Sequence, residues 1–224
     1  TEHGRTVSRL QVMVLNDDMP FLVDSLTGLF TALGLTIHRV LHPILEMSRG
    51  NKKCKESLIY AELSPLPSDL TVTDFEKQMV TALRHVAASV EDWPQMRERA
   101  LVLAEQFTSL NSAGSKAETQ EIRDLLLWLA GNHFVFLGVA DYRNNNGTLA
   151  IDKSTARGIY RMPPQSNKAT IERTAHAITN NTALSVLKAS EFSLVHRHAP
   201  LDLIVIRRVD AKGKFIGETR MLGL

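Results

Sequence analysis

Residues 15–26 read LNDDMPFLVDSL, and the fold turns on this stretch. The run RLQVMVL (9–15) leads in at period two and is rich in β-formers, which predicts a strand. What leads out has a different spacing. Leu22, Leu26, Leu29, Phe30 and Leu33 recur on one face of a helix, and Gly34 is a natural stop because it accepts a left-handed backbone. Between the two periods stand Asp17, Asp18 and Pro20. Asp18 is placed to cap a helix that starts near Met19. Pro20 suits a first turn, where its missing N–H has no partner to lose. The stretch therefore predicts a strand, a sharp corner and a sheet-covering helix.

Working outward, TIHRVLHPILEM (36–47) reads as a long strand. Pro43 cannot donate to a ladder, so it belongs at an edge or a bulge. RGNKKCKE reads as a polar loop, and ESLIYAEL (56–63) alternates as a third strand. LSPLPSDL marks a turn. Val72, Phe75, Met79, Leu83, Val86 and Val90 form a second helical stripe, with Thr73 and Glu76 as its capping box. Trp93-Pro94 reads as a break, followed by a third helix with Met96, Ala100, Leu103, Ala104 and Phe107 on one face. SLNSAGSKAE (109–118) is small and polar and reads as a linker. A fourth helix carries Ile122, Leu125, Leu126 and Leu129, and ends at Gly131.

The remainder reads as β-rich. FVFLGVADY (134–142) is a strand, NNNG (144–147) supplies a turn, and TLAIDK starts the return. A short helix is expected near 169–178. EFSLVHRH reads as a strand, and LDLIVIRRVDAKGKFIGETRML as a hairpin turning at Asp210 to Gly213. The expected fold class is α+β: a ferredoxin-like βαββα domain with appended helices, then a second β-rich α+β module. The expected boundaries are 5–92 for the first domain, 93–131 for helical connectors, and 132–224 for the second module, truncated at its C-terminal end.

Of 224 residues, 44% are hydrophobic and 22% charged, with a net charge of +2, so the composition is that of a globular protein without a nucleic-acid footprint. No apolar run approaches the roughly 18 residues of a membrane span. The single Cys54 cannot form an internal disulfide, which fits a reducing, cytoplasmic setting. The N-terminus lacks both a signal-peptide pattern and an initiator Met, and reads as a cut from a longer chain.

Strand, acidic corner, Pro and helix together resemble the start of an ACT domain, a small ferredoxin-like regulatory module that in many cases binds amino acids. The match narrows with LNDDMPFLVDSLTGLFTALGLTIHRVLHPIL, then HFVFLGVADY, then LVHRHAPLDLIVIRRVDAKGKFIGETRMLGL, in that order. These resemble the N-terminal region of the large bacterial NAD-specific glutamate dehydrogenases. The resemblance implies a parent that deaminates L-glutamate to 2-oxoglutarate and ammonium with NAD. The twelve glycines include no pair two apart, so no G-x-G-x-x-G fingerprint is present. No catalytic residue, metal ligand or cofactor is therefore assigned to this chain, and NAD is left to the parent. The implied role is a non-catalytic regulatory segment. The alternative is an assembly module without a ligand. The expected partners are other domains of the parent chain, further copies in a homo-oligomer and an amino-acid effector, without nucleic acid or membrane.

At the corner, the resemblance implies an effector site over Asn16, Asp17, Asp18, Met19, Pro20 and Phe21. The free N–H groups of the helix would meet the ligand carboxylate, and Asp17 its ammonium. Many ACT domains place Gly directly after the Pro; here Phe21 stands there. Asp24 has an uncertain direction, and no His or Cys lies close in sequence to complete a metal or acid–base group with it. Other polar residues read as structural. His196 and His198 share one face if their segment is a strand. His38 and His42 do the same, with His42 supporting the bend at Pro43. Arg197, Arg207 and Arg208 line a solvated strand face. Cys54 sits among Lys52, Lys53 and Lys55, which favours its thiolate.

Overall fold

The computed structural model of the protein describes residues 8–50, 52–109, 116–162 and 182–224. The helix expected near 169–178 lies outside these residues. The chain divides into two compact units, Thr1–Ala87 with Leu194–His198, and Ala88–Ser193 with Ala199–Leu224. The fold class is α+β, and every strand pairing among the described residues is antiparallel.

Unit 1 opens with β1 (Leu10–Asp17), α1 (Leu22–Ala32), β2 (Ile37–Leu41), β3 (Ile44–Arg49) and β4 (Lys52–Leu63). β4 is central. β1 lies along one side, with Val14 opposite Ile59; β2 and β3 share the other. Leu41 faces Tyr60 and Ile44 faces Ser57, so β2 and β3 are one edge strand interrupted at His42-Pro43 without a change of register. Leu58 N–H still donates to the Pro43 carbonyl, at 3.1 Å. Pro43 thus sits at an edge, where its missing donor costs no ladder bond. The order β1, β4, β2 is that of the ferredoxin-like plan without its last strand. The expected polar loop at RGNKKCKE is instead the end of a hairpin, because Gly50 at φ 62° lets β3 turn directly into β4.

The core of unit 1 follows the predicted stripe of α1, while on α2 Val72 is exposed and Ala82 is buried. Leu22, Leu26, Leu29 and Phe30 of α1 are buried, with Val12, Ile59, Ala61 and Leu63 of the sheet and Phe75, Ala82 and Val86 of α2 (Val72–Ser109). The rings of Phe30 and Phe75 lie 5.7 Å apart. Two expectations about α2 are corrected. Its cap is Thr71, not Thr73: Thr71 Oγ1 accepts from Asp74 N–H at 3.1 Å and donates to the Asp74 carboxylate at 2.8 Å. That hydrogen bond, with Lys77 nearby, lowers the Asp74 pKa. Pro94 does not end the helix. It removes one helical bond at a cost of ~3 kcal/mol. Buried Val86, Ala88 and Ser89 before it, and Met96, Ala100 and Leu103 after it, are packing that offsets this loss.

Unit 2 is built on a larger sheet, ordered β6, β5, β10, β9, β8, with the short β7 (Arg157–Gly158) also on β5. Its strands are β5 (Phe136–Asn145), β6 (Thr148–Ile151), β8 (Leu184–Phe192), β9 (Pro200–Val209) and β10 (Phe215–Gly223). Asn146 and Gly147 turn β5 into β6 at positive φ, and the Asp210 carboxylate accepts from Lys212 and Lys214 N–H in the β9–β10 turn. One face packs on Met96, Ala100, Leu103 and Ala104 of α2, and on Ile122 and Leu126 of α3 (Lys116–Trp128). A wide helical turn, Leu129–His133, follows α3, with Asn132 in the left-handed region. EFSLVHRH is not one strand: β8 ends at Phe192, and the two histidines lie in the loop before β9.

Candidate functional site

The acidic corner is the end of a ladder, not a helix cap. Asp17 pairs with Glu56, and Asp18 adds a further rung by donating its N–H to Lys55 O at 2.9 Å. The Asp18 carboxylate then accepts the Ser57 hydroxyl at 2.6 Å, while His42 Nε2 lies 2.9 Å from the same hydroxyl oxygen. Ser57 has one proton and gives it to Asp18, so His42 is the donor in the second bond. The buried Ser57 thus joins the corner to the break at His42-Pro43. That explains the bend the sequence placed there. Asp18 does not cap α1. Its charge is engaged by Ser57, and α1 begins three residues later than Met19 without a side-chain cap.

Phe21 is the residue before the helix, and its φ is 71°. This is the left-handed conformation that a glycine enters freely and that costs another residue about 1–2 kcal/mol. The backbone of the corner therefore keeps a glycine-like geometry with a phenylalanine in place. The cost is met locally. Ser25 Oγ donates to Phe21 O, and Ser25 N–H closes the first helical bond on the same carbonyl at 3.0 Å. The Phe21 ring lies 5.2 Å from the ring of His196.

His196 is the residue whose role the sequence did not reveal. It sits in the Leu194–His198 loop, which belongs to unit 1. Its N–H donates to Ser25 Oγ at 2.9 Å, and its Nδ1 lies 3.1 Å from the Asp24 carboxylate. Asp24, the acidic residue of the first turn, suits the positive end of the helix dipole. Of the six corner residues, Asn16 donates its side-chain amide to Asp17 O, Asp17 and Pro20 are exposed, and Met19 and Phe21 are half-buried. His198 shares no strand face with His196. His38 is exposed.

The remaining candidates make local contacts. Cys54 lies on β4 with its thiol 3.7 Å from Met47 O. Arg207 stacks on Phe215 at 4.4 Å. Arg208 and Arg99 both meet the Asp141 carboxylate, which also accepts from Thr219 at 2.6 Å. On the opposite face of the unit 2 sheet, the Arg220 guanidinium holds Glu218 through Nε and Nη2 and lies 4.1 Å over the Tyr142 ring. Burial pushes the hydroxyl pKa of Tyr142 up and that of Tyr160 well up. Among the described residues, no group of three or more His, Cys, Asp or Glu could hold a metal ion. Among the same residues, no helix is long and apolar enough to cross a membrane.

Residues 1–79 match the family described as glutamate dehydrogenase, ACT1 domain. The sheet of β1 to β4, α1 and the corner lie within the matched residues. Over its whole length the chain is 27% identical to an NAD-specific glutamate dehydrogenase of Halomonas elongata, and 30% identical to one of Pseudomonas aeruginosa. It spans about 15% of the length of each. The resemblance drawn from LNDDMPFLVDSL is met by both comparisons, and that drawn from the two later blocks by the whole-length relatives.

Proposed function

We propose that the chain is a regulatory, non-catalytic segment of a large cytoplasmic NAD-specific glutamate dehydrogenase. The parent would oxidatively deaminate L-glutamate to 2-oxoglutarate and ammonium, with NAD bound by another domain. The observation that supports this reading is the match of residues 1–79 to the glutamate dehydrogenase ACT1 domain family, in a sequence without a dinucleotide fingerprint. The effector is an amino acid, read at Asn16 to Phe21. The first-turn N–H groups of α1 suit its carboxylate, and the exposed Asp17 carboxylate suits its ammonium. Occupation of the corner would favour one arrangement of domains and so change the distant active site. Isothermal calorimetry with each of the twenty amino acids tests this. Heat from at least one, lost in Asp17→Asn, is expected; no heat from any removes the effector.

A second reading, an assembly module without a ligand, is favoured by one observation. Among the described residues β1 pairs only with β4, so its outer edge has no strand beside it. Light scattering on the parent with and without residues 1–87 separates the readings. An unchanged oligomer counts against assembly.

A further inference from the structure

The first turn of α1, where the effector reading seats its ligand, is already met by the chain's own Leu194–His198 loop. We propose that the Leu194–His198 loop is the resident occupant of this turn and competes with a free amino acid for the N-terminus of α1. The competitor's identity rests on the effector reading above; the occupant's rests on contacts in unit 1.

His196 engages polar side chains of the first turn of α1. Its N–H takes Ser25 Oγ, and its Nδ1 sits against the Asp24 carboxylate, a rival seat for an ammonium group. Its ring lies beside that of Phe21. The loop is packed, not merely laid on the surface: Val195 is 1% exposed. Further along α1, Gly28 leaves the His198 backbone nitrogen 3.7 Å from where a Cβ would stand. The two residues that meet there, Phe21 and His196, both hold left-handed backbones, at φ 71° and 65°. Non-glycine residues stay in that region when their surroundings over-determine them. Here each is part of the other's surroundings. Phenylalanine after the proline therefore has a purpose that glycine could not serve, since it supplies the surface on which His196 rests. Ser193 N–H donates to Ala199 O at 2.8 Å, so the ends of the loop are drawn together.

The consequence is a gate. An amino acid reaches α1 only while the loop is away, and its apparent affinity is lowered by the fraction of time the loop is seated. Hydrogen exchange and calorimetry on the whole chain test this with Val195→Asp, which puts a carboxylate into a buried position, and with His196→Ala, a milder variant if the first fails to fold. In the unchanged protein the residue 196 amide should be protected; in both variants it should exchange freely. The amino acid that binds should bind about tenfold tighter, or better, to the variants, as for a loop away a tenth of the time. A freely exchanging His196 amide in the unchanged protein overturns the proposal. So do equal affinities, or a ligand that slows exchange in the loop, since the loop would then be a wall of the pocket and not its rival. No heat from any variant overturns the effector reading and the competition with it. A protected amide distinguishes that case from a loop that never seated.

Discussion

The two sheets of this chain solve one problem in different ways. In unit 1 the inward face of the sheet is buried with α1 and α2, while the outward face keeps large apolar side chains in solvent; Met13 is 70% exposed, and Leu15, Leu41 and Met47 are exposed beside it in the pleat. In unit 2 both faces are buried, and the second holds a charged pair, Glu218 and Arg220, at 2% and 1% exposure. A one-sided sheet needs only alternation. A two-sided sheet must also satisfy whatever polar groups it encloses, and every buried side-chain polar atom among the described residues has a partner. Tolerance should therefore differ between the units: unit 2 should be more sensitive at polar positions, and unit 1 more sensitive along one apolar stripe.

The largest effect is expected at Arg220. Arg220→Met leaves the Glu218 carboxylate buried without its partner and should cost about 3–5 kcal/mol by chemical denaturation. The double variant Glu218→Leu with Arg220→Met should recover most of that loss, because an apolar pair needs no partner. If the single variant is as stable as the parent, the contrast between the sheets fails. Next comes a pair within unit 1. Leu26→Ala on the buried face should cost about 2–5 kcal/mol. Met13→Ser on the outward face should stay within ~0.5 kcal/mol. A large loss at Met13 would show that the outward face is covered in solution.

Smaller effects sharpen the picture. Thr71→Ala should cost about 1 kcal/mol and speed amide exchange in the first turn of α2, since Asp74 N–H loses its acceptor. The smallest effect concerns pH. Burial lowers the His85 pKa from its ordinary value of 6.5. Between the folded value and 6.5 the unfolded chain binds more protons, so stability is complete above 6.5 and is lost as pH falls through the folded value. Thermal melting across that window should show the decline, and His85→Leu should flatten it. A melting point that rises on acidification would contradict the assignment.

Much of the unit 1 fold was legible because its signals are local. A change of period at Asp17 to Pro20 marks strand and helix, and Pro43 marks an edge, wherever the rest of the chain goes. The errors came where a local rule met a tertiary one. Pro94 is a helix breaker by itself, yet packing on both sides of it outweighs one lost bond. Asp18 looks like a cap until Ser57, thirty-nine residues away, claims its carboxylate. His196 and His198 look like a strand pair because alternation does not show where a strand stops.

By itself, the sequence determined the α+β class, the order of strands and helices around the first corner, and the family to which that corner points. These rest on side-chain periodicity and backbone preference, which act over a few residues. Only the tertiary structure decided what meets the first turn of α1. Ser25, Asp24 and Phe21 meet a histidine more than 170 residues away, and no spacing rule reaches that far, because the contact depends on where two distant pieces of backbone are brought together by their own sheets.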